Sequence, residues 1–384
     1  MATTSMPRRA PVALRRDPAA PWRHIDVALL GAVVAIAGLG VLMVYSATRR
    51  RLADEGLDPH LFLQRQAMWV LLGLGVMAVV AMIDYRTIRE GALFLYGAMV
   101  VTLLVVLSPL GAEARGTQGW FQLGPLQLQP SEFSKVVVIV TLAAYAAQHR
   151  GDLDGRRLVT ALAIAAVPMG LIFLQPDLGT MLVFVAVIMG SLLVAGARLR
   201  HIVLLTLLGI TGLVGIFQLD MIEHYQRERL TAFLDQEADL QRSTYNLDQS
   251  KTAIGAGGLT GTGLFEGTQT NLSYVPEQET DFIFTVVGEE LGFLGGATLL
   301  LMYAIVVWRT WRSAQLARDL FGTLICVGVI CMLVFQVFEN VGMTMGIMPI
   351  TGIPLPLMSY GGSSTLATFA ALGLVLNVHM RRFS

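Results

Sequence analysis

The sequence predicts an all-α fold: a polytopic membrane protein of about ten transmembrane helices, with a long extracytoplasmic loop between the seventh and eighth. Three observations carry this. Of the 384 residues, 54% are apolar and only 14% charged, where an ordinary soluble domain has roughly 25% charged residues. The apolar residues come in blocks of about 20, the length needed to cross roughly 30 Å of hydrocarbon at about 1.5 Å per residue. The Lys and Arg residues fall mostly in alternate loops, as the positive-inside rule requires of a protein that crosses the membrane repeatedly.

Residues 1–25, rich in Arg, Pro and Ala, read as a flexible cytoplasmic tail, and 26–384 as one integral membrane domain. The first apolar run, Val27 to Ala47, is too long for a signal-peptide core of roughly 7 to 15 residues, and many further spans follow, so it is a retained anchor. Including it, the expected spans are 26–47, 66–84, 91–110, 131–148, 158–175, 177–196, 199–217, 284–308, 319–347 and 364–380. An even number puts both termini on one side. With the termini inside, cytoplasmic segments hold 17 Lys and Arg, and the short outer loops hold five: Arg49, Arg50, Arg51, Arg65 and Arg115. The run Arg49-Arg50-Arg51 argues against this orientation, and nearby Asp54, Glu55 and Asp58 soften the objection. The polar segment 218–283 and the loops 111–130 and 348–363 then lie outside the cytoplasmic membrane.

Several function classes are excluded. Formal net charge is zero, and the basic residues form no stripe with interleaved aromatics, so nucleic acid is not a partner. Cys326 and Cys331, five apart on one apolar helix, point about 140° away from each other and read as small core residues. The six histidines are scattered, with no zinc-ligand spacing. The two lysines, Lys135 and Lys251, do not follow glycine, so there is no Walker A lysine.

Charge inside lipid is costly and marks function by default. Glu132, Lys135, Asp177, Glu289, Glu290 and Glu339 all fall in the outer half of their spans, which suits a polar site opening outward. Glu132 and Lys135, three apart, share a helix face where they can pair, structurally or as part of a site. Asp177 can cap a helix or join the site. Asp281, in Glu277-Gln278-Glu279-Thr280-Asp281-Phe282-Ile283-Phe284, sits against apolar residues where the chain re-enters the membrane. Partial burial there makes a better base, and a solvated cap is the alternative. The glycine-rich stretch 255–267 can cradle phosphate or simply turn the chain. Residues 349–364 are too rich in Pro and Gly to continue a helix, and irregular backbone at membrane depth must be buried in protein or line a cavity. No histidine is placed to activate Ser359 as a nucleophile.

Taken together, Asn340-Val341-Gly342 through Pro349, Thr351-Gly352-Ile353-Pro354-Leu355-Pro356 and Ser359-Tyr360-Gly361-Gly362-Ser363-Ser364 resemble the signature of the SEDS family (shape, elongation, division and sporulation). Gln129-Pro130-Ser131-Glu132-Phe133-Ser134-Lys135, Gln175-Pro176-Asp177-Leu178-Gly179-Thr180, Gln249-Ser250 with Ala253-Ile254-Gly255, and Thr280-Asp281-Phe282-Ile283-Phe284 match its other motifs in order. The wording around Gly267-Thr268-Gln269 and Gly342-Met343-Thr344 resembles the elongation branch more than the division branch. Two departures stand out: Glu279 where the family often has histidine, and Gly119 before Trp120 where many relatives have arginine.

The resemblance implies an inverting glycosyltransferase that joins lipid II units through β-1,4 bonds and releases undecaprenyl pyrophosphate. Asp281 is then the general base, and Trp120, Glu132, Lys135, Asp177, Gln249, Glu277, Ser359 and Tyr360 are the substrate-binding positions. No organic cofactor is implied. Lys135, an outer arginine or a divalent cation such as Mg would meet the pyrophosphate charge, and the sequence names no metal ligands. The implied partners are lipid II, the growing glycan, the bilayer and a class B penicillin-binding protein whose transmembrane helix docks on the eighth and ninth spans. A lipid II flippase and a non-catalytic scaffold are the competing readings.

Overall fold

Asp26 opens the first helix by accepting the N–H of Leu29 at 3.0 Å, and from there apolar blocks become helices one after another. The computed structural model describes residues 24–114, 117–124, 126–149, 154–218 and 243–383. Its helices are α1 (Val27–Asp54), α2 (Leu61–Met82), α3 (Tyr85–Glu90), α4 (Ala92–Val106), α5 (Pro130–Gln148), α6 (Gly155–Phe173), α7 (Leu178–Val194), α8 (Leu199–Gln218), α9 (Ser243–Gly257), α10 (Thr268–Asn271), α11 (Ile283–Gln315), α12 (Leu320–Thr344) and α13 (Gly362–Met380). Ten of these coincide with the ten expected spans. Seven are long and apolar enough to cross a membrane, and Ala92–Val106, Leu178–Val194 and Leu199–Gly209 are shorter apolar helices. The chain is a multi-pass membrane protein.

The expected loop 111–130 is not wholly irregular. It carries three short antiparallel strands, β1 (Ala112–Ala114), β2 (Thr117–Leu123) and β3 (Leu126–Leu128), in the order β1-β2-β3. Of the long polar segment, residues 243–283 fold into α9, a glycine-rich turn and α10. The expected tail, through residue 23, and residues 219–242 lie outside the described residues, as does Arg115.

Three helices, α5, α12 and α13, form the centre, and most side chains of α5 and α13 are buried. Close approach is set by glycine. A Cβ at Gly73 of α2 would stand 2.2 Å from the Phe369 ring of α13, and one at Gly373 of α13 would stand 2.8 Å from the Met77 carbonyl of α2. The outward faces stay apolar: Leu71, Leu72, Val79 and Met82 of α2 and Leu93, Phe94 and Val101 of α4 are exposed. Hydrocarbon, not water, suits that surface.

At the end of the bundle where α1 starts, Arg309 of α11 grips Asp26 through Nε at 2.8 and 3.0 Å. There too Arg381 covers the end of α2, donating to the Ala81 carbonyl at 2.9 Å and the Met82 carbonyl at 2.6 Å, which meets acceptors a helix terminus leaves unpaired. At the opposite end α1 runs seven residues past the expected boundary, to Asp54. Its extra turns carry Arg49 and Arg51, and both have partners: Arg49 Nη2 donates to the Phe265 carbonyl at 2.6 Å, and Arg51 pairs with Glu279 at 2.8 Å.

Helix α11 bends at Gly292, whose φ of 65° and ψ of −164° are non-helical. The glycine-rich turn is laid against this bend backbone to backbone. Thr262 and Gly263 N–H donate to the carbonyls of Glu289 and Glu290, and Phe293 and Leu294 N–H donate to those of Gly258 and Leu259. Gly292 has no room for a Cβ, which would lie 2.3 Å from the Gly261 nitrogen. The turn's amides at 258, 261, 262 and 263 thus bond to the chain itself, which removes the phosphate-cradle reading for them.

Candidate active site

Residues 349–361, which join α12 to α13, gather the motifs that are far apart in sequence. Pro349, Pro354 and Pro356 keep this segment out of helix, so its backbone groups need partners from elsewhere, and the partners found are the motif residues. Asn340, near the end of α12, donates its side-chain amide to the Ile353 carbonyl and to the Asp281 carbonyl, each at 2.8 Å. Ser359 Oγ donates to the Thr280 carbonyl at 2.5 Å and accepts the Leu355 N–H at 2.8 Å. The Tyr360 N–H donates to the Glu279 carbonyl at 2.8 Å, and Gln66 of α2 donates to the Ser359 carbonyl at 3.2 Å. The segment 277–282 is thereby stitched to 349–361 along its length.

Asp281 sits on this seam, half-buried, one residue before buried Phe282 and two before α11 begins. Its N–H donates to the Glu277 carbonyl at 3.1 Å, as do those of Thr280 and Phe282. Glu277 itself is exposed, has a φ of 55°, and accepts the Thr280 hydroxyl on Oε2 at 3.1 Å. Glu279, the acidic departure beside Asp281, is neutralised by Arg51 of α1. Of the Arg49-Arg50-Arg51 run, Arg51 thus holds the segment that carries Asp281, and Arg49 holds the glycine-rich turn at Phe265. Gln278 completes the attachment to α1 by donating to the Ala47 carbonyl at 2.6 Å.

On the other side of the seam stands the start of α7. Asp177 caps it, accepting the Thr180 N–H on Oδ1 at 2.9 Å, and its Oδ2 accepts from Gln129 and Ser131 at 3.3 Å each. Asp177 therefore both caps and ties the Gln129–Lys135 motif to the Gln175–Thr180 motif. A Cβ at Gly179 would stand 2.8 Å from Ile353 and 3.0 Å from the Thr351 carbonyl, so α7 starts against the same linking segment. Gln129 N–H donates to Ser363 Oγ at 2.8 Å. One helical turn into α5, Lys135 Nζ donates to Glu132 Oε1 at 2.7 Å, with both side chains buried.

Trp120 is half-buried on β2, its indole N–H without a partner among the described residues. Gln249 is half-buried on α9, next to Ser250, which bonds the Thr344 carbonyl and Thr285, each at 2.8 Å. Tyr360 is half-buried against Phe62, ring centroids 4.7 Å apart. Ser359 has a different standing: it is 4% exposed with its hydroxyl engaged on both sides, which suits a residue that shapes the site. Of the two buried carboxylates in α11, Glu289 accepts the N–H groups of Gln269 and Thr270 and the Thr270 hydroxyl, and Glu290 accepts the Ser46 hydroxyl at 2.5 Å. Both fasten α10 and α1 to α11. Among the described residues no group of three or more His, Cys, Asp and Glu could hold a metal.

A family model described as cell cycle protein, covering FtsW, RodA and SpoVE, matches residues 27–383. The chain belongs to that family. Stage V sporulation protein E of Bacillus subtilis is 37% identical over 356 residues, covering 92% of this chain and 96% of that protein. Peptidoglycan glycosyltransferase MrdB of Escherichia coli is 34% identical over 359 residues, 94% of each chain. A solved structure that addresses the coordination of polymerization and crosslinking by a peptidoglycan synthase complex superposes with a TM-score of 0.80 at 34% identity, over 94% of this chain and all of that one. The seam around Asp281 thus lies in a chain that matches these relatives over nearly all of their length.

Proposed function

We propose that this chain is a peptidoglycan polymerase that joins lipid II disaccharides through β-1,4 bonds, with Asp281 as general base. The observation that carries the reading is the convergence of four separated motifs on one polar seam around a half-buried carboxylate, in a chain related over its length to peptidoglycan glycosyltransferases. The acceptor sugar hydroxyl attacks the donor's anomeric carbon and passes its proton to Asp281. The new C–O bond forms as the bond to the pyrophosphate oxygen breaks, and undecaprenyl pyrophosphate leaves with the electron pair. A single direct displacement inverts that carbon.

General-base help is typically worth about 10²–10⁴ in rate, and the leaving group needs cationic compensation instead of an acid. Lys135, Arg51 and the arginines beside it are the cationic candidates from this chain. A divalent cation such as Mg, usually held by one or two carboxylates together with substrate phosphates, would meet the phosphates' charge, with exposed Glu277, beside Asp281, as the carboxylate that would hold it. Trp120, Gln249, Glu277 and Tyr360 have accessible surface for the sugar and its lipid. Glu132 with Lys135 and Asp177 shape the floor, and Ser359 holds the Asp281 segment in place.

The same reading places both termini in the cytoplasm and the seam on the outer face of the bacterial cytoplasmic membrane, in support of elongation and rod shape. It gives the chain a class B penicillin-binding protein as partner, docked on the exposed apolar faces of α11 (Phe293, Leu301, Trp308) and α12 (Val334, Phe338). A flippase would place its polar site near the midplane on broken helices, whereas the polar motifs here meet at one end of the bundle. Purified protein incubated with fluorescent lipid II should give a ladder of glycan products on a gel. Lipid II translocation into vesicles with no glycan formed would favour the flippase.

A further inference from the structure

Three acceptor oxygens on α12 have no donor among the described residues: Gln336 Oε1, Glu339 Oε2 and Asn340 Oδ1. Gln336 is a helix-surface neighbour of both Glu339 (i+3) and Asn340 (i+4), and the three residues are 1%, 0% and 0% exposed. The Asn340 amide has a fixed orientation, because its nitrogen donates to two carbonyls, those of Asp281 and Ile353. Its oxygen therefore truly faces the other way, as an acceptor. Glu339 uses its second oxygen to accept the Thr351 hydroxyl at 3.0 Å. Unpaired buried acceptors are strongly disfavoured, and buried carboxylates are paired or hold a cation.

A proton on Glu339 would supply one hydrogen bond and leave at least one amide oxygen unmet. The buried ammonium of Lys135 already donates to Glu132. A hard cation satisfies carboxylate and amide oxygens together, and these are the ligand types such ions take. One carboxylate among two neutral amides balances a single positive charge. Mg carries two charges and keeps several waters, which suits this closed face poorly. We propose that Gln336, Glu339 and Asn340 form a binding site for a monovalent metal cation of the sodium type, which braces α12 against the linking segment and so fixes the backbone of Asp281.

The cation site is independent of the sugar chemistry, and ion-dependent unfolding reports on it without an activity assay. Thermal unfolding of the full chain in detergent, followed by tryptophan fluorescence, is measured in NaCl and in choline chloride at equal concentration, with MgCl2 as a third arm. Tm should rise with sodium and saturate, as for any ligand that binds only the folded state, and should not rise with choline. Both Glu339→Gln and Gln336→Leu should flatten the sodium response. Gln336→Leu keeps the carboxylate and decides the matter should Glu339→Gln fail to accumulate. Equal Tm in sodium and choline, a rise with Mg alone, or a sodium response that survives the Gln336 substitution would overturn the site.

Discussion

Asn340 is the side chain on which the geometry of Asp281 most visibly depends, because one amide group donates to the carbonyls on both sides of the seam. Asn340→Leu keeps the volume and leaves both carbonyls without that donor, at about 1–3 kcal/mol for each buried acceptor left unmet. The variant should show a lower Tm and a polymerisation rate reduced along with it. Unchanged Tm and unchanged glycan yield would show that the seam is held without it. Asp281 itself was legible in the sequence as the acid at the membrane edge of a long polar segment. Asn340 was not, because it lies 59 residues from Asp281 and reads in the chain as one letter of a motif. Nor did sequence pair Glu279 with Arg51, 228 residues apart; a local charge count there finds only repulsion beside Asp281.

At the scale of elements, the ten apolar helices were legible because membrane thickness fixes their length, which composition alone reveals. The three strands near Trp120 and the helices α9 and α10 were not, since short polar elements draw their stability from the chain they rest on, not from local pattern. The bend in α11 was also hidden: Gly292 sits in an apolar block and reads there as a small packing residue. Gly292→Ala should destabilise by the roughly 1–3 kcal/mol that this glycine-only backbone region costs a residue with a Cβ, and more for the clash with Gly261. Loss of membrane accumulation or a lower Tm checks this, and wild-type values in both would contradict the bend. For the Glu132 and Lys135 pair, removing one member strands the other charge in the interior, at about 3–5 kcal/mol. Either Glu132→Gln or Lys135→Met should therefore reduce accumulation. The double variant should recover it while polymerising poorly, because both residues belong to the proposed site; full recovery of activity would make the pair merely structural.

Across the whole molecule, the seam, the glycine-rich turn and the Asp54 end of α1 lie at one end, and the Asp26 and Arg309 pair and the C-terminus lie at the other. Combined with the 17-to-5 bias of basic residues, that polarity predicts an outward-facing site. A cysteine introduced at residue 240 should be labelled by an impermeant reagent in intact spheroplasts, and labelling only after lysis would reverse the topology. The partner reading predicts that Phe338→Arg or Leu301→Arg, on the exposed apolar faces of α12 and α11, weakens co-purification with the penicillin-binding protein while leaving the chain folded. Purified Asp281→Asn assayed beside wild type on lipid II shows whether Asp281 is the base of a glycan polymerase. The substitution keeps size and hydrogen bonding and removes the proton acceptor. Polymerisation should fall by at least about 10²–10⁴, with lipid II binding and Tm near wild type. Near-normal glycan from the pure Asp281→Asn protein would rule out Asp281 as the base.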